Sequence, residues 1–239
     1  MNQPPTRKTF VLIHGSWHGG WCWRPVADLL RAAGHNVFTP TLTGVGERSH
    51  LLSRDINLDT HIADIVNVFR WEDLRDACLA VHSYGGWPGS GALEQIHDRI
   101  SSVVYVDAHV PENGQSWMDL ANPETRAGTL EAIQKGEAGS PPPTAEFFKV
   151  NAQDRAWVDG KLTPQPNGVR TQAIRLTGAR ERIAKKLYIR APNYPQPAFD
   201  QAYARCKANP TWRTLETSAG HDVMIDAPEW LAKVLLEAS

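Results

Sequence analysis

Ala80-Val81-His82-Ser83-Tyr84-Gly85-Gly86 is the stretch whose reading decides the fold. The apolar run Ala77 to Val81 leading into it has the character of a buried parallel strand. Trp87 to Ile100, after it, reads as a helix behind a short Gly/Pro start. Strand, sharp turn with serine at its tip, then helix is the setting in which a Ser-x-Gly motif carries chemistry. Such a turn holds the serine in a strained backbone region, so its neighbours must be small. Gly85 and Gly86 meet that need on the helix side. Val81 stands where the G-x-S-x-G pattern has its first glycine, so the pattern is half met. A glycine-rich turn with an ordinary serine is the plain alternative. What separates the two is whether a histidine, an acid and an oxyanion loop fall at neighbouring strand ends.

Outward from that turn, strands and helices alternate. Phe10-Val11-Leu12-Ile13 is a buried strand running into the His14-Gly15 loop, and Trp23 to Ala33 is an amphipathic helix stopped by Gly34. Asn36 to Pro40 forms the second strand and leaves through Thr43-Gly44-Val45-Gly46. Leu58 to Arg70 carries apolar residues at helical spacing. Ser102 to Val106 is a further strand, ending in Asp107-Ala108. From Pro111 to Ala184 the alternation stops in favour of polar, Pro- and Gly-rich sequence, with Gly139-Ser140-Pro141-Pro142-Pro143 as a hinge or loop. Its aromatics, Phe147-Phe148 and Trp157, are placed in short helical segments that pack on something, which marks 111–184 as an inserted cap rather than a linker. The core, residues 1–110, resumes over 185–239 with the strands Lys186–Arg190 and Trp212–Glu216, a helix from Phe199 to Ala208 and a closing helix from Pro228 to Glu237. The fold class is therefore α/β, a mostly parallel sheet of about six strands with helices on both faces.

Composition narrows the function. The chain has 239 residues, a net charge of −1 and interspersed charges, which argues against nucleic acid or an anionic membrane as partner. No apolar run reaches membrane-spanning length, and the first strand begins within ten residues, so neither anchor nor signal peptide is expected. Cys22, Cys78 and Cys206 fit no disulfide framework or zinc pattern, pointing to a reduced, cytoplasmic protein. No metal motif or phosphate-binding loop is present, so the economical chemistry needs no cofactor. The expected partner is a small molecule, and a homodimer is compatible with the sequence.

In a parallel sheet, ligands bind beyond the carboxyl ends of the strands. Ser83, Asp107, His221 and the His14-Gly15 loop each follow a different predicted strand. Ser83 is the candidate nucleophile and needs a base to take its proton. Among nine histidines, His221 in the Gly220-His221 turn after the last strand is the preferred base, and His109 is its rival. His14, His18 and His82 have structural hydrogen bonding as their plain role; His35, His50, His61 and His97 read as surface or supporting residues. The acid is Asp107 or Asp200, with Asp107 preferred because the sheet fixes its position. The backbone N–H groups of Tyr84 and of Ser16, or Trp17, are candidates for an oxyanion hole. Trp17, His82, Trp87 and His109 are the candidate substrate-pocket residues; Trp21 and Trp23 lie in the same cluster of indoles.

These motifs give the chain a resemblance to the α/β-hydrolase superfamily over nearly its whole length, and to its branch of plant methylesterases, hydroxynitrile lyases and bacterial EstC-like esterases. It rests on Phe10–Trp21, Leu42–Arg48, His82–Gly86 and Gly220–Met224. It implies a serine esterase acting on a small to medium, partly apolar ester. Lyases of the branch have Thr where Gly15 stands and Lys where Asp222 stands, and plant members place their acid after the strand equivalent to Leu187–Ile189, where this chain has none. Cofactor-free dioxygenases on the same fold share the His-Ser-x-Gly-Gly-Trp turn and an acid at the Asp107 position. Lyase or dioxygenase chemistry, and a non-catalytic ligand-binding homologue, are thus the competing expectations.

Overall fold

The computed structural model describes residues 7–239. The first half runs β1 (Thr9–Ile13), α1 (Arg24–Ala32), β2 (Asn36–Phe38), α2 (Leu58–Trp71), β3 (Ala77–His82), α3 (Gly86–Ile96) and β4 (Ile100–Val106). Between β4 and the next core strand lie α4 (Trp117–Leu120), α5 (Pro123–Gln134), β5 (Gly139–Ser140), α6 (Arg155–Asp159), β6 (Gln165–Pro166) and α7 (Gly168–Thr171). The chain closes with β7 (Lys185–Arg190), α8 (Pro197–Ala208), β8 (Trp212–Glu216), α9 (Val223–Asp226) and α10 (Pro228–Ala238). The six core strands form one sheet in the order β2-β1-β3-β4-β7-β8, every pair parallel.

Side chains of a strand alternate between faces, and the two core layers follow from that. Val11, Ile13, Leu79, Val81, Val103 and Tyr105 pack with α2, α3 and α8, whereas Phe10, Leu12, Ala80, Val104 and Ile189 pack with α1 and α10. The strand order reverses between β1 and β3, since β1 continues to β2 on one side and β3 to β4 on the other. The crevice at such a reversal is where open α/β sheets bind ligands. Here the loop after β1 and the turn after β3 border it.

Several local expectations need correction. The helix expected over 87–100 ends at Ile96, and a tight turn at His97–Arg99 feeds β4, which starts at Ile100. β2 stops at Phe38, because Pro40 has no N–H to continue a ladder. Phe147 and Phe148 lie in turns rather than a helix, and Gly139-Ser140 is an antiparallel strand paired with Gln165-Pro166. The segment from 111 to 184 shares its buried residues with both core layers: Val169 and Ile174 with one, Ala145, Phe148 and Val158 with the other.

The half-met serine motif has a steric explanation. Val81 is accommodated by Gly89, one turn into α3, where an added Cβ would sit 2.5 Å from Val81 Cγ1. The small residue the motif asks for on the strand has moved to the helix opposite. Gly89→Ala is therefore expected to destabilise the protein by about 1–3 kcal/mol through overpacking. Val81→Ala in the same chain should recover most of that. Urea melts of the two single variants and the double variant check this, and additive losses would contradict it.

Candidate active site

Each of the three residues picked out at strand ends stands in an unusual backbone conformation or a tight turn. Ser83 follows β3 with φ of 52° and Asp107 follows β4 with φ of 42°. Positive φ in a non-glycine residue costs roughly 1–3 kcal/mol and persists only where the surroundings enforce it. The sheet enforces both: the Asp107 N–H donates to the Ile189 carbonyl on β7, and the His109 N–H donates to the Ser83 carbonyl. His221 lies in the turn after β8, its N–H donating to the Phe148 carbonyl.

These residues converge. Ser83 Oγ lies 2.9 Å from His221 Nε2, and His221 Nδ1 lies 2.7 Å from Asp107 Oδ2. Asp107 is fully buried and its second oxygen is also committed, accepting from Arg190 Nη1 at 2.6 Å and from the Ala191 N–H at 3.0 Å. With Oδ2 facing Nδ1, the imidazole carries its proton on Nδ1 and turns the Nε2 lone pair toward Ser83. Asp200, the alternative acid, does not reach the ring; it is exposed and pairs with Arg190 at 2.8–2.9 Å. Arg190 stands at the end of β7, the very strand after which an acid was sought, and it holds Asp107 instead of replacing it.

Aromatic rings close around His221: Tyr194 stacks at 4.3 Å between centroids, Phe199 at 5.5 Å and Phe148 at 5.8 Å. None of the three was singled out from sequence as a site residue. Tyr194 and Phe199 carried a weak signal, following the strand end where no carboxylate was found.

Gly15 brings the loop after β1 against the serine, since a Cβ there would lie 2.8 Å from Ser83 Cβ. Ser16, Trp17, Ser83, Tyr84, His109 and His221 all border one cavity of about 840 Å³ beneath the 111–184 segment. The Tyr84 phenol is turned away, donating to His61 Nδ1 at 2.9 Å, while His61 Nε2 donates to the Thr43 carbonyl at 2.8 Å. Burial lowers His61 to about 4, consistent with a neutral ring that fixes Tyr84. His61 is fully buried, so of the two roles expected for it the supporting one holds.

Of the four expected pocket residues, Trp17 and His109 line the cavity and two do not. His82 is fully buried behind His221, its Nε2 donating to the His221 carbonyl at 3.0 Å, because alternate residues of β3 point to opposite faces. Trp87 is buried beneath His109, with ring centroids 5.8 Å apart. His109, the rival base, packs edge-on against Phe199 at 4.8 Å, and burial together with the neighbouring His221 lowers it to about 3. It is a neutral lining group at physiological pH. Trp117, which sequence reasoning passed over, lines the cavity as well.

Behind the site lies an ion pair that sequence reasoning missed. Asp222 is fully buried, with Oδ2 3.1 Å from His18 Nε2. Burial alone would push its carboxyl up, but His18 outweighs that and holds it down at about 2. His18 is likewise raised, since Asp222 overcomes the burial that disfavours its charge. Asp222→Asn is expected to cost about 3–5 kcal/mol by leaving a buried partner uncompensated. The sign with pH follows from both shifts. The carboxylate's contribution is present above its unfolded value of 3.8 and fades as pH falls toward 2. The imidazolium's is full below its unfolded value of 6.5 and is lost as pH rises through its raised folded value. The gap between wild type and Asp222→Asn should be widest between these limits and narrow in alkali. Denaturant melts across pH 5–9 measure it; a gap independent of pH would contradict the pairing.

Comparisons with known proteins bear on the family and the fold. The profile described as "Alpha/beta hydrolase family" matches residues 10–234. A protein of Nocardioides sp. (strain SG-4G) described as carbendazim hydrolyzing esterase is 39% identical over 235 residues, covering 95% of this chain and 97% of that one. Putative methylesterase 13, chloroplastic, of Arabidopsis thaliana is 26% identical, covering 97% of this chain and 56% of that one. Among solved structures, an extracellular alpha/beta-hydrolase from a Paenibacillus species superposes with a TM-score of 0.84 at 24% identity, covering 97% of this chain and 99% of that one. No described helix is long and apolar enough to cross a membrane.

Proposed function

This chain belongs to the alpha/beta hydrolase family, and from that premise we propose that it hydrolyses carboxylic esters through an acyl-enzyme formed on Ser83. The observation that carries the reading is the unbroken chain Ser83 Oγ, His221 imidazole, Asp107 carboxylate at the floor of a cavity. His221 Nε2 takes the hydroxyl proton as Oγ attacks the ester carbonyl. The developing oxyanion is received by the Ser16 and Tyr84 N–H groups, an arrangement worth on the order of 10²–10³ in rate per donor. Collapse returns the proton to the departing alcohol and leaves acyl-Ser83. Water then attacks the acyl carbon, giving its proton to His221; collapse breaks the acyl–Oγ bond, His221 returns the proton to Oγ, and the carboxylic acid leaves. Asp107 keeps the imidazole in the working tautomer and stabilises its cationic form.

Residues 111–184 serve in this reading as a cap that shapes the cavity and excludes water. Trp17, Phe148 and Phe199 make the walls apolar, which suits a small to medium ester with an aryl or alkyl group. The relative named for hydrolysing carbendazim makes that compound a first candidate substrate. Three free, buried cysteines fit a reducing compartment, and we place the enzyme in the cytoplasm.

A panel of methyl and p-nitrophenyl esters run in ¹⁸O-water tests the reaction class. One labelled oxygen in the acid product, with no consumption of molecular oxygen, is the expected result. Oxygen uptake coupled to turnover, or failure to hydrolyse any ester, would overturn it.

A further inference from the structure

Arg170, on α7, is 5% exposed, yet no carboxylate pairs with it among the described residues. Its Nη1 donates to Thr129 Oγ1 and to Ser140 Oγ, both at 3.2 Å. Those hydroxyls spend their own protons elsewhere, Thr129 on the Thr125 carbonyl and Ser140 on Asn167 Oδ1, so both are fixed as acceptors. The guanidinium is flanked by Trp117 at 4.8 Å and Trp17 at 5.5 Å. Its Nε and Nη2 find no acceptor among the described residues and are not sealed from solvent. The residue lines the same cavity as Ser83.

A buried cation, held rigid on one edge and unpaired on the other, is costly unless something answers it. Burial lowers Arg170 to about 10, which leaves it charged at neutral pH. The free edge is the side-on Nε/Nη2 fork, the geometry that takes a carboxylate through two parallel hydrogen bonds. Asp119, the one acid among the described residues lining the cavity, is exposed and already accepts from the Ser116 N–H and hydroxyl. We propose that Arg170 is the docking point for a free carboxylate on the substrate, so that the preferred substrates are half-esters of dicarboxylic acids. The inference rests on the ester-hydrolase reading. The reaction balances as half-ester plus water giving dicarboxylate, alcohol and a proton.

The test is a matched series of monomethyl and dimethyl esters of linear C4–C8 diacids and of isophthalic acid, followed by product analysis. Wild type is expected to favour the monomethyl member by about tenfold or more in kcat/KM, expressed mainly in KM, as one charge-assisted bidentate contact would give. In Arg170→Met the monomethyl-to-dimethyl ratio should fall by about 10- to 100-fold, with Arg170→Lys intermediate. A merely structural latch between Trp17 and Trp117 would lower both rates together and leave the ratio intact, which would overturn the proposal. Should the variants fail to fold, wild type alone decides. Isophthalate should inhibit p-nitrophenyl acetate hydrolysis competitively and about tenfold more tightly than isophthalamide, and equal inhibition would overturn the assignment. Diesters hydrolysed in a Ser83-dependent way without any half-ester preference would sink this inference and leave the hydrolase reading standing.

Discussion

Ser83→Ala should lower kcat for p-nitrophenyl acetate by about 10⁴-fold or more, with KM little changed. Removing Oγ deletes the atom that bonds to the acyl carbon, and nothing nearby can replace it. His109 is held neutral against Phe199, and His82 is spent on the His221 carbonyl. The oxyanion N–H groups and the cavity walls survive, so a residual rate above that of water is expected. Alanine suffers the same strain as serine at φ of 52°, so the fold should persist and the melting temperature should move little. Steady-state kinetics beside a thermal melt separate loss of chemistry from loss of structure. A rate within tenfold of wild type in a folded variant would mean that water, activated by His221 and Asp107, is the attacking group.

Asp107→Asn should cost about 10⁴-fold in kcat, and the neighbours of Asp107 explain why. Oδ1 receives two donors, Arg190 Nη1 and the Ala191 N–H. An asparagine must put its carbonyl oxygen there, because an NH₂ group would face both donors. Its NH₂ then points at His221 Nδ1, which has to accept. The ring proton is forced onto Nε2, the one atom that must be free to take the serine proton. Asp200→Asn, by contrast, weakens only one exposed partner of Arg190 and should change kcat by less than about threefold. Parallel kinetics on the two variants decide which carboxylate works with His221; reversed magnitudes would reassign the acid.

The main lines of the fold and the three side chains that converge at the strand ends were legible because they depend on local patterns. Short, mostly apolar runs mark the inner strands, Ser83 and Asp107 follow β3 and β4 directly, and His221 stands in the Gly220-His221 turn beyond β8. The sheet then did the long-range work, since parallel strands bring their carboxyl ends to one edge whatever the sequence separation. What could not be read was anything set by pairing between distant segments. Gly89 matters because it faces Val81 across the helix–sheet contact, and a glycine in a helix does not announce what it makes room for. The partner of Asp222, His18, lies 204 residues away, so no local pattern marks the pair. Proximity to Ser83 along the chain points His82 and Trp87 toward the pocket, but strand and helix geometry turn both inward. Arg170 sits in a stretch without periodicity, so only the fold shows that it stands between two indoles on the cavity wall.

The most direct test of the account is the site of covalent capture. A fluorophosphonate probe should react with wild-type protein to one equivalent, abolish ester hydrolysis in proportion, and be found by peptide mass spectrometry on Ser83 alone; Ser83→Ala should stay unlabelled. Full ester turnover by protein that leaves Ser83 unmodified under a large excess of probe, or capture at another residue in step with inactivation, would contradict it.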